Sequence, residues 1–346
     1  MATPTWTTRK VYESTQPVDC VAVSATDPAE VAFVGSALAG DTWDGTVGVL
    51  RLDAEGEDAH RVPPAPLPCG ASAVAWLGAD IVVLACDDGT VPLVRLGRRD
   101  GSREWDGGIE SLAEDAVHDD MAVALAVAPA EGEKEEGEGS TSWRVASGGA
   151  DGVVRVWATA GTEGTESLRL CAAFAQTAKC HGVAWTADGT LAAAYSDGAL
   201  RLYDVRARAC VAHTRASRVA LTAIAAAGST GSQLAVGDDS GAVCVLDSRM
   251  LGERALWEDA SAHGWACRAL TLHHTEGEEG GRTLLASGGE DCRVVVRCIE
   301  GGEDGNAVLC CDRTHIDAVT TLAWCNDKSG ALLSGSRDRT ILNHTP

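Results

Sequence analysis

One short pattern recurs seven times along this chain: a β-rich run, a turn built on Asp or Ser, and a second β-rich run that often ends in a large side chain. The clearest copy runs from Ala146 through Ser147, Asp151 and Gly152 to Trp157. The turn positions are Asp44, Asp88, Asp151, Asp197, Ser240, Asp291 and Asp338. They are 44, 63, 46, 43, 51 and 47 residues apart. A unit of this length cannot bury the apolar face of its own strands, so neighbouring units must stack on one another. A period in the forties with two strands around each turn predicts an all-β, seven-bladed propeller, one four-stranded sheet per repeat.

A chain of 346 residues would ordinarily divide into two domains. Seven blades instead account for residues 1–346 as one closed unit. In blade one the inner three strands are expected at Val18–Val23, Val31–Gly35 and Thr46–Leu52. The run from Met121 to Ala130 reads as a buried strand of blade three. The chain stops after the third strand of blade seven, so residues 1–15, with Trp6, Val11 and Tyr12, are expected to supply its outer strand and close the ring. Such closure removes two open sheet edges. Residues 129–142 are rich in Glu and Gly and are expected to form a disordered acidic loop in blade three. A second acidic stretch, Glu276–Gly280, occupies the same place in blade six.

The formal charge of −22 opposes binding to nucleic acid or to anionic membranes and suits basic partners. No apolar run reaches the length of a membrane helix, and the N-terminus has no signal-peptide pattern. A cytoplasmic protein, also able to act in the nucleus, is the expectation. Thirteen cysteines at irregular spacing, without a CxxC, read as reduced thiols rather than a disulfide framework. No metal site or cofactor is expected. His273 and His274 are adjacent on a strand and so point to opposite faces.

Several repeats carry a His before the first strand, a Ser in the second, the turn Asp, and a large residue in the third. In blade three these are His118, Ser147, Asp151 and Trp157. Blades six and seven keep His263, Ser287 and Asp291, then His315, Ser334 and Asp338, with Arg297 and His344 in place of Trp. This is the hydrogen-bonded tetrad expected of a WD repeat, in which each buried polar group finds a partner. His, Ser and Asp together also suit a hydrolase. The repetition of the same offsets and the lack of a GxSxG elbow favour the structural role.

The segment from Val34 to Gly45, with Gly35, Ser36, Leu38, Gly40, Trp43 and Gly45, resembles the blade-one loop of the WD-repeat subunit of the methylosome. That family is the propeller partner of the type II protein arginine methyltransferase. Ala75–Gly78 followed by Asp87–Gly89, His118–Asp120, and the stretch from His315 to His344 are similar to it as well. The resemblance implies a non-catalytic adaptor that docks on the methyltransferase and presents basic tails of Sm proteins and histones, within a hetero-oligomer. It implies that Trp43 is the docking anchor, flanked by Leu38, Thr42 and Asp44. A scaffold of an unrelated complex needs none of this similarity and stays open as an alternative. A propeller esterase is a third reading, and it would need an accessible nucleophile.

Overall fold

The computed structural model describes residues 6–39, 42–52, 62–99, 105–113, 117–129, 143–160, 166–227, 232–275, 282–299, 307–325 and 330–346. Among these residues the chain forms seven four-stranded antiparallel sheets. Strand β1 (Thr7–Glu13) comes first and belongs to the last sheet. Blade one is β2 (Val18–Val23), β3 (Glu30–Ala39), β4 (Thr42–Arg51) and β5 (Ala65–Leu67). Blade two is β6 (Ala71–Trp76), β7 (Ile81–Cys86), β8 (Leu93–Arg98) and β9 (Trp105–Ala113). Blade three is β10 (Ala122–Pro129), β11 (Trp143–Gly149), β12 (Val153–Ala160) and β13 (Ser167–Ala175). Blade four is β14 (Cys180–Trp185), β15 (Leu191–Tyr195), β16 (Ala199–Asp204) and β17 (Ala209–Arg215). Blade five is β18 (Leu221–Ala226), β19 (Gln233–Asp238), β20 (Val243–Asp247) and β21 (Trp257–Asp259). Blade six is β22 (Cys267–Thr275), β23 (Arg282–Gly289), β24 (Val294–Ile299) and β25 (Val308–Asp312). Blade seven is β26 (Val319–Trp324), β27 (Leu332–Ser336), β28 (Thr340–Thr345) and β1.

The first strands touch in sequence, β2 to β6 and onward to β26, and β26 returns to β2, so the ring is closed. Each blade is a β-meander whose side chains alternate between its two faces. Both faces press on neighbouring blades, so the core is a set of seams. One seam joins Ala32, Val34, Val47 and Val49 of blade one to Val74, Trp76, Val82 and Leu84 of blade two. Space near the axis is tight. A Cβ added at Gly148 or Gly237 would lie 2.6 Å from the sulfur of Cys180 or Cys267 in the next blade. That crowding explains small residues in the second strands, such as the buried Ala192–Ala194 run.

Polar groups bridge the seams too. Trp76 Nε1 donates to Ala22 O at 2.9 Å, and Trp185 Nε1 to Ala126 O at 3.2 Å. Hydroxyls one residue into the first strand reach the next blade: Ser72 Oγ donates to Ala122 O and Thr320 Oγ1 to Val18 O, each at 2.6 Å. The Thr320 bond joins blade seven to blade one.

Closure is completed by β1, which pairs antiparallel with β28. Val11 and Tyr12 enter the blade-seven to blade-one seam beside Phe33, Leu333 and Ile341. The rings of Tyr12 and Phe33 lie 4.9 Å apart.

Blade one departs from the expected layout. Strand β3 runs on past Gly35 to Ala39 and β4 begins at Thr42, so a long hairpin arm replaces the tight turn. Asp44 is therefore not a turn residue; it lies within β4, paired across from Ala37. The turn position of the other blades falls two residues after Gly35, on Ala37, where no carboxylate is available to hold a tight turn. The Met121–Ala130 run gives β10, but only Ala122 and Ala124 in that strand are buried; its other positions are half-buried and Pro129 is exposed. The two acidic stretches, residues 130–142 and 276–281, lie outside the described residues.

Candidate docking site

The tetrads tie the turns and the incoming connections together at one end of the ring. In blade three His118 Nδ1 lies 3.1 Å from Asp151 Oδ1, and His118 Nε2 lies 2.8 Å from Ser147 Oγ. Trp157 Nε1 donates to Ser147 Oγ at 3.0 Å. Burial works against the Asp151 charge, but Arg155 and the N–H groups of Val153 and Asp119 hold its carboxyl down at about 2. An ionised carboxylate only accepts, so Nδ1 donates to Asp151, Nε2 accepts from Ser147, and Ser147 accepts from the indole. Burial, and secondarily Arg155, lower the His118 pKa, so the ring stays neutral.

Blade six repeats the His263–Asp291 contact at 2.9 Å and the His263–Ser287 contact at 2.9 Å. Arg297 does not take the place of the Trp there. Its guanidinium pairs with Asp259 at 2.8 Å and lies over the Trp257 ring. A long cation finds a carboxylate beside the neighbouring blade instead of a buried hydroxyl. In blade seven His315 bridges Asp338 and Ser334, both at 2.8 Å, and His344 Nε2 reaches the same Ser334 Oγ at 2.8 Å. The tetrad Ser hydroxyls are buried and already engaged, so these His–Ser–Asp sets offer no exposed nucleophile.

Blades without a tetrad fill the same slot differently. In blade five Ser217 stands where the His would be and donates to Asp238 Oδ2 at 2.6 Å. Asp238, two residues before Ser240, accepts from the N–H groups of Ser240 at 2.9 Å and Ala242 at 3.0 Å. The carboxylate expected at the turn has thus moved back along the strand. In blade four Tyr195 and Tyr203 share a hydrogen bond of 2.8 Å.

The blade-one arm projects from this same end. Leu38 and Trp43 face each other directly across it. Both are exposed, at 60% and 52%. Asp44 is exposed as well, and Thr42 opens β4 opposite Ala39. The base of the arm is fixed. A Cβ at Gly45 would lie 2.1 Å from Cys69 O, so the arm rests on the connection into blade two. Ser36 Oγ donates to Asp19 Oδ2 at 2.5 Å. Burial, reinforced by nearby Asp87, raises the Asp19 carboxyl to about 6 despite that bond. An apolar cross-strand pair held on a rigid base and left open to solvent has the make-up of an interface anchor.

Sequence reasoning missed two residues at this end. Trp265 and Ile316 are exposed at 67% and 86%. Ile316 N donates to Asp338 Oδ2 at 3.0 Å, and the Trp265 carbonyl abuts Gly241 in the blade-five turn. Both follow a tetrad His by one or two residues, where the connection between blades turns outward. That offset was the available signal. With the arm, they spread apolar side chains over blades six, seven and one at one end of the ring.

Residues 306–342 match the family model for the WD domain, G-beta repeat. That stretch includes His315, Ser334 and Asp338, the blade-seven set. Compared with the curated proteins, the chain matches none. Seven four-stranded blades together with this repeat define a WD-repeat β-propeller. Propellers of this class generally act as non-catalytic scaffolds for protein partners, and the surface just described is the kind such a scaffold uses.

Proposed function

We propose that this propeller is an adaptor that docks on a type II protein arginine methyltransferase through the Leu38–Trp43 arm. In that complex it helps to present basic, Arg-rich tails of Sm proteins and histones for symmetric dimethylation. The observation that carries this reading is the exposed Leu38–Trp43 pair on a braced arm, in the segment that resembles the methylosome subunit. The net charge of −22 supports it, because it attracts basic tails over distance. The setting is the cytoplasm for Sm proteins and the nucleus for histones, in a hetero-oligomer without direct nucleic-acid or membrane contact.

The test is binding of the purified chain to a type II methyltransferase, with Trp43→Ala beside the wild type. Loss of an interface anchor weakens binding by about 2 kcal/mol or more. The hairpin should keep the same melting temperature, because the indole is half exposed. No binding by the wild type refutes the adaptor. Equal binding by a folded Trp43→Ala protein refutes the anchor. A second reading rests on Trp265 and Ile316, which lie outside the arm: a scaffold of another complex would bind through blades six and seven. No methyltransferase binding by the wild type, together with capture of a different protein partner that Trp265→Ala loses and Trp43→Ala keeps, would favour it.

A further inference from the structure

Blade two has lost its tetrad and holds something else in the vacated slot. The residue two before the turn Asp is Gly149 in blade three and Gly289 in blade six. A Cβ there would lie 2.2 Å from His118 Nδ1, or 2.7 Å from His263 Nδ1. That position therefore points straight at the place of the imidazole. In blade two the register puts Cys86 at this position, and Leu67 stands where the His would be. The Cys86 sulfur thus occupies the imidazole slot. Cys69, from the connection between β5 and β6, and Asp88, from the turn, reach the same place. The ligand atoms of Cys69, Cys86 and Asp88 all lie within 4.8 Å of one another.

We propose that Cys69, Cys86 and Asp88 form a binding site for one thiophilic divalent cation such as zinc. Two thiolates and a carboxylate suit a d10 ion, which prefers sulfur and takes a tetrahedral set. Three protein ligands leave the fourth position to water. Cys86 is buried, Cys69 half-buried and Asp88 exposed, so the open position faces solvent. The ligands are pre-arranged. Gly89 N donates to Cys86 O and Asp87 N to Gly70 O, at 3.0 and 2.9 Å, and His118 N of the next blade ties down Gly89 O at 2.8 Å. Asp88 Oδ1 accepts from Thr90 N and Oγ1 at 2.9 and 2.7 Å, which fixes the carboxylate and leaves Oδ2 to a cation. The Cys69 sulfur lies beside both the Cys86 sulfur and the Asp88 carboxylate. A thiol ordinarily keeps its proton at neutral pH, so both sulfurs enter the site as S–H. Metal entry replaces two S–H protons with two metal–sulfur bonds and releases both protons to solvent. The three anionic ligands sum to −3 against the +2 of the ion. The site sits under the base of the Leu38–Trp43 arm, since Gly45 abuts the Cys69 carbonyl. It does not depend on the adaptor reading.

The full chain, kept reduced, is titrated with Cd²⁺ while thiolate-to-cadmium charge-transfer absorption and proton release are followed; Zn²⁺ is then added in competition. The expected result is saturation at one equivalent, two protons released per ion, and displacement by Zn²⁺. Since the loss of an outer-shell partner lowers metal affinity about 10- to 100-fold, loss of a direct ligand in Cys69→Ser or Cys86→Ser lowers it by at least about tenfold. Both variants should also lose about half the absorption. Asp88→Asn, at an exposed position, weakens binding but keeps the absorption, and Cys210→Ser behaves as the wild type. The proposal is overturned if the wild type takes up no ion at one equivalent. It is also overturned if Cys69→Ser and Asp88→Asn bind as the wild type does.

Discussion

Replacing Ser147 with Ala in the blade-three tetrad removes one oxygen atom and two hydrogen bonds, to His118 at 2.8 Å and to Trp157 at 3.0 Å. Both partners are buried, so neither gains water in exchange. An indole N–H and an imidazole lone pair are left without partners, at about 1–3 kcal/mol each for a buried polar group. We expect Ser147→Ala to lower stability by about 2–6 kcal/mol. Trp157→Phe leaves Ser147 still bonded to His118 and should lower it by about 1 kcal/mol through the lost bond, plus the smaller ring. The double variant should fall short of the sum by about 1 kcal/mol, because Phe removes the very donor that Ser147→Ala strands. Blade two shows the His, Ser and Trp positions replaced together by apolar residues, Leu67, Leu84 and Val94, the last two of them buried. The tetrad therefore matters as an intact set, and half a set is worse than none. The assay is urea unfolding of the four proteins in a double-mutant cycle, with coincident fluorescence and circular dichroism transitions as the check on two-state behaviour. A Ser147→Ala loss below about 0.5 kcal/mol, or strictly additive variants, would refute the reasoning.

Deleting residues 1–15 removes β1 and uncovers the edge of β28. Burial of Val11 and Tyr12 alone accounts for about 3 kcal/mol, so the melting temperature should fall by several degrees, and an unchanged melt would contradict the clasp. Burial lowers the pKa of His118, His263 and His344, the last to about 4, below the usual value near 6.5. The unfolded chain then binds protons before the folded one, so stability is whole above pH ~6.5 and declines as pH falls toward 4. His344 contributes about 3 kcal/mol of that decline. Asp19, raised to about 6, acts in the opposite sense and offsets part of it. Urea midpoints measured across that range check the slope, and a flat profile would refute it. Arg339 holds the turn of blade seven at φ 70°, where other blades use Gly, such as Gly152 at φ 79°. Arg339→Gly should relieve the left-handed strain and stabilise by about 1 kcal/mol, read as a higher melting temperature.

The ring was legible because its punctuation is local. A turn Asp followed by Gly needs only a few neighbours, and a His–Ser–Asp offset repeated in three blades yields three sets of hydrogen bonds of 2.8–3.1 Å. The N-terminal clasp was legible because the apolar Val11 and Tyr12 precede blade one, and β1 indeed pairs with β28. Blade one misled for a physical reason. Asp44-Gly45 has the composition of a tight turn, but Phe33 pairs with Gly48 where Ser147 pairs with Arg155, so the hairpin is longer and Asp44 falls inside a strand. Composition marks a turn; only pairing register says where the chain reverses.

What stayed hidden is what each blade does with an empty slot. The fold demands a filled space between the turn and the incoming connection, yet it does not dictate the filler. Tyr195 with Tyr203, Ser217 with Asp238, and Cys86 with Cys69 and Asp88 are three chemically unrelated answers to one packing problem. None leaves a periodic trace, because each is a departure from the repeat. The exposed Trp265 and Ile316 are the same kind of departure on the outer surface. In a repeat protein the shared residues hold the ring together, and individuality resides where a blade breaks the pattern. The arm of blade one and the thiol pair beneath it are two such breaks, and they meet at Gly45 and the Cys69 carbonyl. That contact makes blades one and two the part of this propeller whose chemistry is its own.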